Sequence, residues 1–227
     1  MPSFNIVKEL PENDSFRVAE VVGAFDLQTS KTKETFVGNI PIENEDWRIG
    51  VIVGRSGTGK SLISKHLFQK EYTENFPYKE KSILDDMPQG KGIKEITQTF
   101  NSVGFSSPPS WLKPYSALSQ GEKMRVDFAR AILSDNSLIV FDEFTSVIDR
   151  EIAKIASFAI AKNIRRSEKR FIAVTCHFDV LEWLQPDWIF YTDTMSFEKK
   201  NSKDQRSKLE SISATKNCGE CLANIII

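Results

Sequence analysis

The chain has 227 residues, of which 40% are hydrophobic and 27% are charged, and its formal net charge is −1 at pH 7. This composition is typical of a globular protein with one large or two small domains, and it excludes nucleic-acid binding through an overall positive charge. No apolar stretch approaches the roughly 20 residues that span a bilayer. The N-terminus lacks the pattern of a signal peptide, so we expect a cytoplasmic protein without direct membrane insertion.

The first third of the chain is predicted to form strands followed by a helix. Apolar and β-branched residues predict strands in FRVAEVVGAF (16–25), ETFVGNIPI (34–42) and RIGVIVG (48–54). A helix is predicted from about Lys60 to Lys70, because Leu62, Ile63 and Leu67 share one face. SILDD (82–86) is a further candidate strand.

The rest of the chain alternates helices and strands. Helical spacing of apolar residues occurs over 93–103, after residue 119 and over 150–166. Strands are predicted in SLIVFDEF (137–144), RFIAVTCHF (170–178) and, as the last strand, WIFYT (188–192). This alternation predicts an α/β fold with a mostly parallel sheet. We assign residues 1–195 to the folded domain and the polar residues 196–227 to a C-terminal tail.

GRSGTGKS (54–61) matches the phosphate-binding pattern G-x-x-x-x-G-K-[ST], and it lies between a predicted strand and a predicted helix. Glycines let such a loop turn its backbone N–H groups toward phosphate oxygens, while the lysine reaches the β- and γ-phosphates and the serine can bind Mg²⁺. An ordinary glycine-rich turn is the alternative interpretation. The predicted nucleotide-binding residues are Gly54, Arg55, Ser56, Gly57, Thr58, Gly59, Lys60 and Ser61.

Two acids, Asp142 and Glu143, end the predicted strand LIVFDE. The carboxyl ends of parallel strands meet at the ligand-binding edge of an open α/β sheet. We therefore predict that Asp142 helps to hold Mg²⁺ and that Glu143 positions and polarises the attacking water. Two solvated acids at a strand end are the alternative.

The stretch LSQGE (118–122) has two readings that are compatible. Ser119 followed three residues later by Glu122 is the pattern of a capping box at a helix N-terminus. The N-terminus of a helix is also an anion-binding site. The residues alone leave open whether the motif caps a helix, contacts a phosphate, or does both.

Taken in order, GRSGTGKS, LSQGE, LIVFDE, SVID and VTCH resemble the Walker A, signature, Walker B, D-loop and switch-histidine motifs of the ATP-binding cassette (ABC) ATPases. The resemblance implies a P-loop NTPase fold of ABC type, with an N-terminal antiparallel β part and a reduced helical subdomain at about 87–125. It also implies that Ser119 and Gly121 face the γ-phosphate bound by a second subunit. Asp149 would lie at the dimer seam, and His177 would contact the γ-phosphate.

Other implied features depart from the family pattern or have a competing explanation. Phe25 falls where the family often has an adenine-stacking aromatic residue, although a core phenylalanine is the competing interpretation. Asp85 stands where a glutamine that senses Mg²⁺ is expected, and Gln89 lies four residues later. The stretches PPSWLKPYSALSQGEKMRVDFARAIL, IVFDEFTSVIDR and AVTCHFDVLEWLQPDW are most similar to soluble ABC ATPases that can be fused to a predicted acetyltransferase domain.

These features predict an ATPase that binds ATP and Mg²⁺, forms an ATP-dependent head-to-tail homodimer, and acts as a switch on an unknown protein partner or on DNA. The alternatives are the ATP-hydrolysing subunit of a membrane transporter and a nucleotide-binding module without catalysis. KNIRRSEKR (162–170) is a candidate DNA contact, but basic residues at a helix C-terminus also complement the helix dipole. The pair Cys218 and Cys221 has no second ligand pair in the sequence and is interpreted as two incidental thiols, with a zinc or redox role as the alternative.

Overall fold

The computed structural model describes residues 3–9, 15–26, 33–43, 45–73 and 76–200. Within these residues the strands are β1 (Ser3–Glu9), β2 (Lys33–Asn39), β3 (Ile49–Val53), β4 (Tyr72–Thr73), β5 (Leu138–Phe141), β6 (Arg170–Thr175), β7 (Trp188–Tyr191) and β8 (Ser196–Lys199). The helices are α1 (Phe16–Ala24), α2 (Lys60–Leu67), α3 (Ile93–Ser102), α4 (Pro108–Trp111), α5 (Gln120–Leu133), α6 (Arg150–Arg166) and α7 (Val180–Leu184). A short 3-10 helix lies at Tyr115–Ala117.

A six-stranded sheet organises the molecule, with the strand order β4-β5-β6-β3-β7-β8. All neighbouring pairs are parallel except β7 with β8. A separate two-stranded antiparallel sheet joins β1 to β2. These observations confirm the predicted α/β fold with a mostly parallel sheet and an N-terminal antiparallel part.

The central strands are buried on both faces, which explains their continuous apolar sequences. In β3, Val51 and Val53 join one hydrophobic cluster, while Ile52 between them joins the other. The two clusters therefore lie on opposite faces of the sheet, as the period of two in a strand requires. Helices α3, α5 and α6 contribute to the first cluster, and α2 with the small sheet contributes to the second.

The small sheet packs on the second face of the large sheet through aromatic side chains. Phe4 of β1 meets Phe190 of β7 edge to face, with ring centroids 5.8 Å apart. Phe36 of β2 lies against Gly59, where a Cβ atom would come within 2.7 Å of its ring. The small sheet thus supports the loop that precedes α2.

Helices α3 and α4 and the start of α5 fall within the predicted helical part at about 87–125. Phe100 packs edge to face against Phe105, with ring centroids 5.3 Å apart, and also contacts Trp111. The Trp111 indole N–H donates to the carbonyl of Phe105 over 3.0 Å. Aromatic side chains therefore hold the short helices of this region together.

Two of the predicted strands were wrong. Residues 16–24 form helix α1 and not a strand, because the Ser15 side chain accepts a hydrogen bond from the Val18 N–H and starts a helix. SILDD forms turns, in which the Asp85 N–H donates to the Ser82 carbonyl over 3.1 Å.

The predicted last strand is followed by another. Residues 196–199, which we had placed in the tail, form β8 and pair antiparallel with β7, so ordered sheet continues past residue 195. The Phe197 ring stacks on the Trp188 ring, with centroids 5.9 Å apart, which gives this polar segment an apolar anchor. The rest of the predicted tail lies outside the described residues.

Candidate nucleotide site

The loop Gly54–Ser61 follows β3 directly and leads into α2, whose N-cap residue is Gly59. Gly57 and Gly59 both have φ of 84°, a left-handed conformation that favours glycine. Gly59 also leaves no room for a Cβ atom beside the Phe36 ring. Two of the three glycines predicted from the motif are therefore required by the shape of the loop.

The loop after β7 supports the phosphate loop from the side. The Thr58 and Thr192 hydroxyls lie 2.6 Å apart, and Thr192 also donates to the Val53 carbonyl over 3.3 Å. Asp193 accepts from the Arg55 backbone N–H and, over 2.8 Å, from its guanidinium Nε. These bonds to Arg55 hold the pKa of Asp193 below its ordinary value. The motif did not predict Thr192 or Asp193, whose bonds span more than 130 residues.

Lys60 has the placement expected of a phosphate-binding lysine. Its side chain is buried, and its ammonium donates to the Arg55 carbonyl inside the loop over 2.7 Å. A buried ammonium is costly unless a counter-charge compensates it. An anion bound at the loop would supply such a counter-charge in addition to the nearby Asp193 carboxylate. The adjacent Ser61, in the first turn of α2, is half-buried.

Asp142 and Glu143 leave β5 at the carboxyl edge of the sheet, as predicted. Asp142 accepts hydrogen bonds from the Tyr72 hydroxyl and, over 2.9 Å, from the Glu143 N–H. Glu143 is exposed and has φ of 51°, and Thr145 has φ of 66°. Positive φ is uncommon for these residue types and is typical of functional turns.

His177 follows β6 at the same edge. Its backbone N–H donates to the Thr175 hydroxyl over 3.1 Å, and its Nδ1 lies 3.1 Å from Nη1 of Arg150. Burial, and then the Arg150 charge, lower the pKa of His177, whereas Asp179 and Glu143 act in the opposite direction. Glu143 is thus close enough to His177 to influence the pKa of the histidine.

The LSQGE motif begins α5 with a complete capping box. The Ser119 hydroxyl accepts from the Glu122 N–H over 3.3 Å, and the Glu122 carboxylate accepts from the Ser119 N–H over 2.9 Å. Ser119 is exposed, and Gly121 packs so closely on Ile152 of α6 that a Cβ atom would come within 3.1 Å. The capping role is confirmed, and the phosphate contact stays a prediction.

Asp149 also has a structural role within the chain. It is the N-cap residue of α6, and its carboxylate accepts from the Glu151 N–H over 2.9 Å. It is exposed, and its place at a dimer seam stays a prediction.

A cavity of about 420 Å³ lies between the two acids and helix α5. The stacked rings of Tyr78 and Tyr115, with centroids 3.9 Å apart, line it, and both hydroxyls donate to Asp127 over 2.7 Å. Burial raises the pKa of both tyrosines and of Asp127. Sequence reasoning missed this cluster, because its members are far apart in the chain and match no motif.

Two predicted site residues lie apart from these contacts. Phe25 follows α1 and is 72% exposed, which excludes the competing interpretation as a core phenylalanine. Asp85 is exposed in a turn, whereas its neighbour Asp86 is buried and accepts from the Lys79 and Glu80 N–H groups. Adenine stacking by Phe25 and Mg²⁺ binding by Asp85 stay predictions.

Several basic side chains of the run 162–170 make contacts within the chain. Arg165 pairs with Asp187 over 3.4 Å, Lys169 donates to the Ser134 carbonyl over 2.7 Å, and the Arg170 guanidinium lies over the Trp47 ring. These contacts favour the structural interpretation of the run. The pair Cys218 and Cys221 lies outside the described residues.

Two further kinds of binding feature are absent from the part of the chain that the structure describes. The described residues contain no group of three or more His, Cys, Asp and Glu side chains arranged to hold a metal ion. They also contain no helix that combines the length and apolar character needed to cross a membrane.

Comparisons with known proteins identify the fold. The solved dimeric structure of a post-hydrolysis state of the ATP-binding cassette MJ0796, bound to ADP and Pi, matches with a TM-score of 0.61 and 15% identity over 88% of this chain and 98% of that chain. The fold is therefore that of an ABC-type ATP-binding cassette, a P-loop NTPase.

Sequence relatives agree with this class. The mRNA export factor elf1 of Schizosaccharomyces pombe is 26% identical over 66% of this chain and 16% of its own length. The methionine import ATP-binding protein MetN of Brucella abortus is 33% identical over 34% of this chain and 20% of its own length. No family model matches. The likeness to MetN supports homology with ABC ATP-binding proteins, although the chain spans a fifth or less of the length of these two relatives.

Proposed function

We propose that this chain binds and hydrolyses ATP. The observation that carries the proposal is the placement of three motifs at the carboxyl ends of the adjacent parallel strands β5, β6 and β3. These strands are followed by Asp142 and Glu143, by His177, and by the loop Gly54–Ser61. Ligands of open α/β sheets bind at this edge.

Each group has a distinct role in the proposed reaction. The N–H groups of the loop and the Lys60 ammonium bind the phosphates of ATP. Glu143 orients and polarises the water that attacks the γ-phosphate, and His177 donates a hydrogen bond to that phosphate. Ser61 and Asp142 would hold Mg²⁺, which neutralises charge on the phosphates when it is bound.

We propose further that two copies of the chain assemble head to tail. The loop Gly54–Ser61 of one copy and the exposed Ser119 at the start of α5 of the other would share one ATP. The ADP- and Pi-bound cassette with the same fold is dimeric, which supports this arrangement. In this proposal ATP binding closes the dimer and hydrolysis reopens it, so the cycle is a switch.

The switch could act on an unknown protein partner, on DNA, or on a membrane transporter. The variant signature LSQGE and the likeness to soluble ABC ATPases of the acetyltransferase-fused group support a protein that works outside a transporter. The relative named as a methionine import ATP-binding protein supports the transporter alternative. Co-purification with a multi-span membrane protein would favour the transporter.

The decisive experiment is Glu143→Gln. We expect loss of ATP turnover together with a dimer that accumulates in ATP, because the variant binds ATP but cannot activate water. Phosphate release and light scattering with and without ATP measure the two effects. Glu168→Gln is the control, because that carboxylate is 99% exposed and pairs with Arg48.

Two outcomes would contradict the proposal. A Glu143→Gln variant that hydrolyses ATP at the normal rate excludes the role of Glu143. A variant that binds ATP and stays monomeric counts against the shared site, while leaving ATP binding itself supported.

A further inference from the structure

Arg150, at the start of helix α6, is held by the Asp179 carboxylate and the Trp183 ring. Its Nε donates to Asp179 Oδ2 over 3.0 Å, and its Nη2 forms a second bond to the same carboxylate. Its guanidinium carbon lies 4.9 Å from the centre of the Trp183 ring. Two-point pairing combined with ring contact fixes the plane of a guanidinium group, which a lysine could not reproduce.

The remaining nitrogen of this group is directed at His177. Arg150 Nη1 lies 3.1 Å from His177 Nδ1 and 3.4 Å from the hydroxyl of the buried Thr145. Thr145 belongs to the turn that carries Glu143. Arg150 therefore connects the first turn of α6 to both the histidine and the acid-bearing turn.

The chemistry of this contact determines where the histidine proton lies. A guanidinium group has N–H donors and no acceptor. For a hydrogen bond to form, Nδ1 of His177 must offer its lone pair, so the neutral ring carries its proton on Nε2.

We infer that Arg150 is a positioning residue, which holds His177 as the neutral tautomer with its proton on Nε2. The inference rests on the proposed function, in which His177 donates a hydrogen bond to the γ-phosphate. Arg150 would thereby hold the Nε2–H donor of His177 in the correct orientation before ATP binds. The same contact joins the histidine to the helix that follows Asp149.

The charges around His177 agree with this arrangement. Arg150 of α6 faces the ring and lowers its pKa, as burial does. Asp179, near the ring on its own segment, and Glu143, from the acid-bearing turn, raise it. Removing the Arg150 charge should therefore raise the pKa of His177 and favour the protonated ring, in which both nitrogens are donors.

The test uses the fact that the chain contains two histidines, His66 and His177. In the 227-residue chain carrying His66→Gln and labelled with ¹⁵N, two-bond ¹H–¹⁵N correlation spectra report the tautomer and pKa of His177 alone. We expect the proton on Nε2 in this background. With Arg150→Met added, we expect a mixture of tautomers and a higher pKa.

The same substitutions are then assayed for ATP turnover in a chain that retains His66. We expect Arg150→Met to lower kcat by roughly 10- to 100-fold, the loss typical of removing the partner that orients a functional histidine, with KM for ATP little changed. Arg150→Lys keeps the charge without the fixed plane and should lose part of the activity.

Arg165→Met is the matched control, because Arg165 lies on the same helix and also pairs with an aspartate, Asp187. It should leave the His177 spectrum and kcat unchanged. Thermal unfolding of each variant checks that the fold is retained.

The outcomes separate this inference from the proposed function. A wild-type protein that hydrolyses ATP with the His177 proton on Nδ1 overturns the inference alone. So does an Arg150→Met variant whose spectrum and kcat match the wild type. The inferred tautomer in a protein without ATPase activity supports the positioning contact and overturns the proposed function.

Discussion

The Tyr72 hydroxyl orients Asp142 from the neighbouring strand. Tyr72 lies on β4, which runs parallel to β5, and its hydroxyl donates to Asp142 Oδ2. The Lys65 ammonium lies 5.1 Å from the centre of the Tyr72 ring. A residue that orients a metal ligand contributes to metal affinity without touching the metal.

We expect Tyr72→Phe to raise the Mg²⁺ concentration that gives half-maximal ATP turnover by roughly tenfold, because Asp142 loses the bond that orients it. A Mg²⁺ titration of phosphate release at saturating ATP measures the effect. Tyr191→Phe is the control, since its hydroxyl also bonds a carboxylate, Glu198, on the far side of β3. An unchanged Mg²⁺ requirement in Tyr72→Phe would exclude this role.

At the scale of elements, strand β6 is the centre of the larger hydrophobic cluster. Phe171 is fully buried and meets Phe128 of α5 and Phe144 edge to face, with ring centroids 5.1 and 5.5 Å apart. Phe144 follows Glu143 directly in the chain, and its N–H donates to the Val174 carbonyl over 2.9 Å. The packing of β6 therefore also supports the turn that carries Glu143.

We expect Phe171→Ala to lower the free energy of unfolding by about 3–5 kcal/mol, because it removes buried contacts and leaves a cavity. Chemical denaturation monitored by circular dichroism measures this change. Val37→Ala, at a position that is 57% exposed, should change stability by less than about 0.5 kcal/mol. Equal effects of the two substitutions would contradict the assigned core.

At the scale of the whole molecule, the proposed dimer predicts complementation between subunits. Lys60→Ala removes the phosphate lysine, and Ser119→Arg should block the site of the opposite copy while sparing ATP binding by its own. Each variant alone should lack turnover. Mixing them should restore part of it, because a mixed dimer contains one site in which both residues are native.

The control for complementation is the double variant Lys60→Ala and Ser119→Arg, which should restore nothing when mixed with either single variant. Phosphate release over a range of mixing ratios measures the effect. Loss of ATP binding by Ser119→Arg itself would contradict the assignment of Ser119 to the opposite subunit.

Local patterns in the sequence were sufficient to predict much of the fold. The strands β3, β5, β6 and β7 are continuous apolar runs because both of their faces are buried, and such runs are recognisable in isolation. Local propensity was misleading for residues 16–24, where three valines and one phenylalanine predict a strand. The Ser15 cap and local backbone bonds produce a helix there without burying any of its residues.

The groups proposed for the site could be predicted from the sequence, because a phosphate loop, two acids after a strand and a capping box are each contained within a few residues. The contacts that hold these groups in place could not be predicted in this way. Tyr72 meets Asp142, Arg150 meets His177, and Thr192 supports Thr58 through bonds between residues 27 to 134 positions apart. Contacts of this kind depend on strand order and helix packing, which patterns within a few residues do not predict.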